Sequence, residues 1–394
     1  MKRERAQHVF RRLLGLTSIA LASITAVSAC ALPSSVDDGK LTIGLVTSQT
    51  GPASQLGIGE LQGARLAIDE INKNGGVNGK AVELITADDQ SNPSQTVLQV
   101  RKMLGRVDGI VGPSTSGPCK AIQELVATAK IVDYCLSPGV RPKSDGWQWS
   151  ASVSTEDLAV ALVEYWKAQG ITKIGLLSST DSSGSDGAKA VKAAIAGEPG
   201  MVLTAASTFI PDAVSVTAQL GQIARTAPQG LVVWATGAGA GVAFQGLRLV
   251  GLHVPVATTD GNLTHAFVDR IKAFLPDPLL IPATRDFWAP EALPSDEVRT
   301  IEETYHGDYQ AAFNELPDFG PGVAYDGVRL LVEALRRANG DSEKARTELE
   351  GIKDFPGVVG NYQFSPGDRR GLTRKDVGVV KVTTDGFEFV GGQQ

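Results

Sequence analysis

The sequence predicts an α/β protein with two doubly wound halves. Short apolar segments alternate with amphipathic helical segments from residue 41 to residue 258, which is typical of parallel sheets covered by helices. The chain has 394 residues, which is long for a single hydrophobic core. Three helical segments after residue 295 have no strands beside them, which indicates that the chain passes between the two halves more than once.

The first thirty residues have the pattern of an export signal. Five basic residues precede an apolar run over residues 13–27 that ends in small residues, so we predict a secretory signal peptide over residues 1–29. The Arg11-Arg12 pair leaves twin-arginine export open, although we favour the general secretory route. The sequence Val27-Ser28-Ala29-Cys30 resembles the bacterial lipobox, in which the cysteine becomes the lipidated first residue. The alternative is an ordinary signal peptidase site.

The chain that remains after residue 29 is acidic. Removing residues 1–29 takes five positive charges and one negative charge from a net charge of −6, which leaves −10. Such a charge argues against a nucleic acid partner. The segment of residues 30–39 is short and polar, which is typical of a flexible tether. No later segment is long and apolar enough to span a bilayer. We therefore expect a soluble body held outside the cytoplasm by a lipid on Cys30.

The first half alternates strands and helices regularly. A helix after the first strand ends at Asn74, where two glycines follow. Asn92 followed by Pro93 is a strong signal for the start of another helix. The predicted strands cover residues 41–48, 81–87, 107–111, 131–136 and 148–153, and the helices after the first cover residues 93–104 and 118–130.

The second half repeats this pattern. Ser154, with Asp157 three residues later, predicts a helix that runs to residue 169. Residues 276–294 are rich in proline and aromatic residues, which favours a crossing between the halves. Asp385-Gly386 predicts the turn of a C-terminal hairpin. The other predicted strands are residues 173–177, 202–209, 231–235 and 254–258, and the other predicted helices are residues 187–196, 214–225, 241–250, 295–313, 321–338 and 341–351.

Residues 108–141 carry the candidate site. They predict a strand, a loop of small hydroxyl residues, a helix, a second strand and a second loop that ends at Arg141. In such a βαβ unit both loops lie at the carboxyl edge of the sheet, where open α/β sheets bind ligands. The first loop also leads into a helix N-terminus, which favours an anion. A small molecule with a carboxylate is therefore the first candidate ligand.

Two cysteines belong to this unit. Cys119 lies at the start of its helix and Cys135 at the end of its second strand, so both are expected near the same sheet edge. In an exported protein this arrangement favours a disulfide. The chain-entropy model assigns a loop of about 16 residues a stabilisation of roughly 3 kcal/mol. The alternative is a pair of buried free thiols.

Four segments resemble the substrate-binding proteins of branched-chain amino acid ABC transporters. The most specific segment is IGLVTSQTGPASQLGIGELQGARLAIDEINKNGGVNGKAVELITADDQSNP, and the others are VDGIVGPSTSG, DGAKAVK and LVGLHVPV. The resemblance implies the type I periplasmic-binding fold, with two doubly wound αβα lobes joined by a three-strand hinge and a ligand enclosed when the lobes close. Lobe 1 would cover residues 40–154 and 285–356, and lobe 2 residues 155–284 and 357–394.

In lobe 1 the resemblance implies a carboxylate site. Thr115 and Ser116 match the loop that holds the ligand's α-carboxylate through a serine side chain and backbone N–H groups. On sequence alone this loop could equally be a helix cap. Gly139 matches a position that offers a backbone carbonyl and N–H to the ligand. Arg141 stands where related amino acid binders often have a small hydroxyl residue, so it either pairs with an extra ligand carboxylate or is a solvated surface arginine.

In lobe 2 the resemblance implies an ammonium site. Asp260 matches the acidic residue that binds the ligand's ammonium, and the alternative is an ordinary turn aspartate before a glycine. Ser183 stands where many relatives carry a tyrosine that covers the ligand, and Leu56 stands where relatives often have an aromatic residue. The side-chain pocket is therefore expected to be larger, or to be filled by Trp234 or Phe319 instead.

Catalytic motifs have little support in the sequence. A dinucleotide fingerprint read from Gly239 ends on Phe244, and residues 75–80 are one residue short of a P-loop and lack its following Ser or Thr. The sequence has no G-x-S-x-G elbow, no recognisable catalytic triad and no Cys/His cluster. We therefore expect no enzyme activity, no cofactor and no metal.

The sequence thus predicts an extracytoplasmic, lipid-anchored solute receptor. It would capture a small amino acid or related amphoteric molecule and deliver it to an ABC permease, and we expect it to act as a monomer. Two alternatives stay open, which are a ligand-sensing receptor subunit and an exported hydrolase built on the same fold. The resemblance implies leucine-like ligands, but Leu56, Ser183 and Arg141 depart from amino-acid-binding relatives. Amides, aromatic acids and dicarboxylates therefore stay open.

Overall fold

The computed structural model describes residues 40–392. The predicted signal peptide, the lipidation site Cys30 and the tether up to residue 39 lie outside this range. The first part of the described chain contains β1 (Leu41–Thr47), α1 (Ser54–Lys73), β2 (Val82–Asp88), α2 (Pro93–Met103), β3 (Gly109–Val111), α3 (Ser116–Ala129), β4 (Asp133–Cys135) and β5 (Gln148–Ser150). These five strands form one parallel sheet in the order β2-β1-β3-β4-β5.

A second sheet of seven strands follows. The part of the chain that begins this sheet contains α4 (Thr155–Ala168), β6 (Lys173–Ser179), α5 (Ser182–Gly197), β7 (Val202–Phe209), α6 (Thr217–Ala224), β8 (Gly230–Trp234), α7 (Ala238–Val250), β9 (Val256–Thr258), α8 (His265–Ile271) and β10 (Leu279–Ala283). The chain continues with α9 (Asp296–Phe313), α10 (Phe319–Arg337), α11 (Ser342–Glu350), β11 (Phe355–Pro356), β12 (Asn361–Tyr362), β13 (Gly378–Thr383) and β14 (Gly386–Gly392). Seven of these strands form the second sheet, in the order β14-β13-β10-β9-β8-β6-β7.

The predicted fold class is confirmed, since both sheets are wound from parallel strands and helices. Strands β6 to β10 are parallel, while β13 and β14 form the predicted C-terminal hairpin and pair antiparallel with β10. The prediction missed β10, which lies in the stretch interpreted as a crossing. All five residues of β10 are buried, so this strand lacks the alternation of polar and apolar residues that marks a half-buried strand.

Within residues 40–392 the chain passes between the two sheets three times. The first passage, residues 151–154, leads from β5 to α4, which packs against α5, β10 and β13. The second leads from β10 to α9, which packs with α10 against α1 of the first sheet. The third returns from β12 to β13 of the second sheet. These passages explain the three helices that had no strands beside them, whereas the predicted lobe boundaries at residues 154, 285 and 356 stay a prediction.

Helices α1 and α10 pack unusually closely. A methyl group placed on Gly63 of α1 would lie 2.1 Å from the carbonyl oxygen of Pro321 in α10, so only glycine fits at this contact. The contact fixes α10 on the first sheet even though it follows the second sheet in the chain. Of the helices in the described range, none combines the length and apolar character needed to cross a membrane.

Candidate functional site

A cleft of about 470 Å³ lies between the carboxyl edges of the two sheets. Its walls come from the loops after β1, β2 and β3 on one side and after β6, β7 and β8 on the other. Crevices outside the carboxyl ends of parallel strands are where open α/β sheets bind ligands. The lining residues are Pro52, Ala53, Ser91, Pro93, Thr115, Ser116, Gly117, Pro118, Asp181, Ser182, Ser183, Pro211 and Thr236.

Thr115 and Ser116 bring hydroxyl groups and a helix N-terminus to the cleft. Ser116 is the first residue of α3 and is 1% exposed, and its Oγ lies 2.8 Å from the Oγ of Ser137. Thr115 has the extended backbone of an N-cap residue, yet its side chain makes no capping hydrogen bond to the described residues. The first N–H groups of a helix have no partner within it and favour negative charge. This end of α3 therefore suits a carboxylate.

A disulfide joins the start of α3 to the end of β4, next to the two loops of the candidate site. Cys119 and Cys135 are bonded, with their Cα atoms 6.0 Å apart, which confirms the predicted pair. The backbone N–H of Ser137 also points to the sulfur of Cys135, at 3.3 Å. A methyl group on Gly139 would lie 2.3 Å from Ser116 Oγ. The second loop therefore packs directly on the hydroxyl of Ser116, and a side chain at position 139 would displace that hydroxyl.

Asp260 is buried beside the cleft and does not line it. The residue is 2% exposed, and its Oδ1 accepts hydrogen bonds from the Thr259 hydroxyl (2.7 Å) and the Gly261 N–H (2.9 Å). Its Oδ2 is buried without a hydrogen-bond partner among the described residues. Burial raises the pKa of Asp260 to about 6, while those hydrogen bonds and the charge of Arg370 lower it. Gly261 lies against Thr236, which does line the cleft.

Four other predicted site residues are also absent from the cleft lining, namely Gly139, which packs on Ser116, and Arg141, Trp234 and Leu56. Arg141 is half-exposed and forms an ion pair with Glu156 at the start of α4. Trp234 is buried, and its indole packs so closely on Gly187 that a methyl group there would lie 2.1 Å away. Leu56 is buried in the hydrophobic core. Ser183, by contrast, lines the cleft as Ser116 and Thr115 do.

Arg370 is a buried residue that hydrogen-bonds to the backbone of the second loop of the site. It lies in the third passage and is 8% exposed. Its guanidinium donates to the carbonyl oxygens of Pro138 and Val140 in that loop. It also donates to the hydroxyl of Ser150 (2.7 Å) and to two carbonyl oxygens of the first passage, at residues 152 and 153. Sequence reasoning missed this residue, because an arginine in a polar turn carries no signal of burial.

The N-terminus of α5 was also missed. The helix begins at Ser182, five residues before its predicted start, because Asp181 accepts a hydrogen bond from the Gly184 N–H at 2.7 Å and caps it. An aspartate before a run of small residues is a capping signal that could have been used. In the part of the chain that the structure describes, no group of three or more His, Cys, Asp or Glu side chains is placed to hold a metal ion.

Comparisons with known proteins agree with this architecture. A family model described as "Periplasmic binding protein" matches residues 40–386. The Leu/Ile/Val-binding protein BraC3 of Rhizobium johnstonii is 43% identical over 90 residues, which is 22% of this chain and 24% of the relative. A Pseudomonas aeruginosa protein named for binding leucine, isoleucine, valine, threonine and alanine is 34% identical over 104 residues, 25% of this chain and 28% of the relative. The matches thus span about a quarter of these curated relatives.

Solved structures match over a longer range. The branched-chain amino acid transporter substrate-binding protein LivJ of Streptococcus pneumoniae, solved in complex with isoleucine, gives a TM-score of 0.77 at 22% identity and covers 89% of this chain and 99% of that chain. An extracellular ligand-binding receptor from Rhodopseudomonas palustris gives a TM-score of 0.81 at 20% identity over 89% of this chain and 99% of that chain. At such identities the likeness concerns the fold.

Proposed function

The chain belongs to the periplasmic binding protein family, and from this premise we propose that it is the solute-binding lipoprotein of an ABC importer. It captures a small amino acid or related amphoteric molecule outside the cytoplasm and delivers it to a membrane permease as a monomer, anchored through Cys30. The observation that carries the proposal is the cleft of about 470 Å³ between the two sheets, with the N-terminus of α3 at its wall. Names of relatives that bind leucine, isoleucine and valine support the ligand class.

The proposed mechanism is closure of two lobes around the ligand. The ligand's carboxylate binds Ser116 and the N–H groups at the start of α3, while its ammonium binds the free oxygen of Asp260. Only a ligand that contacts both walls favours the closed form over the open one. The prolines and Ala53 of the lining offer apolar surface to a side chain, and no described residue of the lining is aromatic. The proposed ligand therefore includes amino acids with side chains larger than that of leucine.

A ligand screen tests the proposal. Thermal unfolding would be measured with leucine, isoleucine, phenylalanine, aliphatic amides and dicarboxylates, each in excess. A ligand at 100 times its dissociation constant adds about 2.7 kcal/mol to the free energy of unfolding. A compound of the amphoteric class should therefore raise the unfolding temperature. Failure of every compound with a carboxylate and an ammonium would contradict the proposed ligand class.

Ser116→Ala is expected to weaken ligand binding by about 1.5–3 kcal/mol, because hydrogen bonds to charged groups contribute about this much. Isothermal titration calorimetry with the ligand found in the screen measures the effect. Ser342, which is also the first residue of a helix but lies in α11, provides the matched control Ser342→Ala. An affinity of Ser116→Ala equal to that of the control would remove the Ser116 hydroxyl from the site.

Ligand affinity is expected to fall about tenfold per pH unit below pH 6 and to be constant above it. The reason is that the pKa of Asp260 is about 6 in the free protein, and a ligand ammonium requires the carboxylate form. The contribution of Asp260 to the free energy of unfolding changes with pH in the opposite direction. Because the folded pKa lies above the ordinary value of 3.8, the contribution of Asp260 to stability is complete below pH 3.8 and is lost as the pH rises through 6.

Calorimetric titrations between pH 4.5 and pH 8 measure this dependence, and Asp260→Asn is the control. The variant should bind more weakly at pH 7 and should lose the change in affinity around pH 6. If the unmodified protein binds its ligand equally well at pH 5 and pH 7, Asp260 does not contact an ammonium group.

A further inference from the structure

An ion pair joins the two walls beside the cleft. Lys120 is the fifth residue of α3 and Asp186 is the fifth residue of α5, so each lies at the start of the second turn of its helix. The Nζ of Lys120 is 2.6 Å from Oδ2 of Asp186 and 3.1 Å from the hydroxyl of Ser182. Helix α3 packs against α2 and β5 of the first sheet, whereas α5 packs against α4, β6, β7 and β8 of the second. The pair therefore crosses from one wall to the other.

The position of the pair relates it directly to the candidate site. Lys120 follows Ser116 by one helical turn, and Ser182 lines the cleft. A methyl group on Gly139 would lie 2.3 Å from Ser116 Oγ and 3.2 Å from Asp186 Oδ2. The Asp186 carboxylate thus lies over the same loop that packs on Ser116.

Lys120 and Asp186 pair with each other, while the nearby Asp181 is held by other hydrogen bonds. Asp181, the acidic residue immediately before α5, accepts hydrogen bonds from the Gly184 N–H and from a serine hydroxyl at residue 179. The side chains of Lys120 and Asp186 are 41% and 17% exposed, so the pair is only partly solvated. Partial burial reduces the screening of the attraction by salt and water.

We propose that Lys120 and Asp186 form a latch that stabilises the closed form of the cleft. They are positioning residues, and the inference rests on the proposed function, in which the two walls close around a ligand. Opening the cleft separates the two charges, so the pair contributes only to the closed form. A partly exposed ion pair contributes about 0.4–1 kcal/mol. Loss of the pair should therefore lower the ratio of closed to open protein two- to fivefold.

The first experiment needs no ligand. Small-angle X-ray scattering would compare the ligand-free protein with Lys120→Met, Asp186→Asn and the double variant at 0.01 M and 1 M salt, where the screening length falls from about 30 Å to about 3 Å. We expect a larger radius of gyration for each variant at low salt, and an increase with salt only in the unmodified protein. Equal radii for all four proteins at low salt would overturn the proposal.

The second experiment measures ligand dissociation. With L-leucine or another compound found in the screen as the probe, stopped-flow displacement should show a two- to fivefold faster dissociation for each single variant and no further increase for the double variant. The control is Lys143→Met, since Lys143 pairs at 2.9 Å with Glu124 of α3 and so joins two parts of the first sheet's layer. Multiplicative effects of the two single variants, or rates equal to the control, would show that no latch exists.

The two experiments separate the latch from the proposed function. If no amphoteric compound binds, the proposed function fails while the scattering measurement still tests the latch. If compounds bind and the variants match the unmodified protein in shape and dissociation rate, the latch fails and the proposed function stands.

Discussion

Replacing Arg370 by methionine is expected to lower the free energy of unfolding by about 3–5 kcal/mol. The guanidinium donates to four backbone carbonyl oxygens and the Ser150 hydroxyl, and methionine would remove this donor from all of them, although the Ser150 hydroxyl would keep its hydrogen bond to the Ser137 carbonyl oxygen. Each unsatisfied buried polar group costs about 1–3 kcal/mol, and part of this cost is recovered by relaxation and water entry. Denaturation in urea, followed by circular dichroism, measures the difference.

Two further variants complete this measurement, one as a control and one with an expected intermediate stability. Arg336→Met removes an arginine on the surface of α10 that pairs with Glu333, and the loss should be about 1 kcal/mol or less. Arg370→Lys keeps the charge but offers a single donor group in place of the planar fork, so its stability should lie between those of the methionine variant and the unmodified protein. Equal unfolding midpoints for Arg370→Met and Arg336→Met would contradict the role of Arg370 as a clamp.

Removing the disulfide with Cys119→Ala and Cys135→Ala is expected to lower the free energy of unfolding by about 3 kcal/mol. The bond closes a loop with a sequence separation of 16, and the chain-entropy model assigns this stabilisation to restriction of the unfolded chain. The variant should also bind ligand more weakly, because the bond holds the start of α3, where Ser116 lies, close to the loop that carries Ser137. Thermal unfolding and calorimetry measure the two effects.

A reductant provides the control for the disulfide. Dithiothreitol should lower the stability of the unmodified protein toward that of the double variant and should leave the double variant unchanged. If the double variant binds ligand as tightly as the unmodified protein, the loops of the site are held by their other contacts, such as those of Arg370. A reductant effect on the double variant would mean that the reductant acts at another place in the chain.

The sequence alone was sufficient for most of the local structure and for part of the site, although it missed β10 and the first residues of α5. Strand and helix periodicity located most elements because each helix or strand buries one face at its own spacing. The caps at Asn92 and Ser154 act as predicted, since both side chains accept hydrogen bonds from N–H groups of their helices. Ser116 and Ser183 line the cleft because loops after parallel strands must meet at the carboxyl edge. Their roles toward a ligand stay predictions.

The tertiary structure decided which distant residues meet. It alone placed Arg370 behind the second loop and Lys120 opposite Asp186, at sequence separations of more than 60 residues. It also paired Arg141 with Glu156 in an ion pair and buried Trp234 against Gly187 of α5. The physical reason is that periodicity and capping depend on neighbours within a few residues, whereas the partner of a buried charge depends on how two layers pack, and sequence spacing carries no measure of that distance.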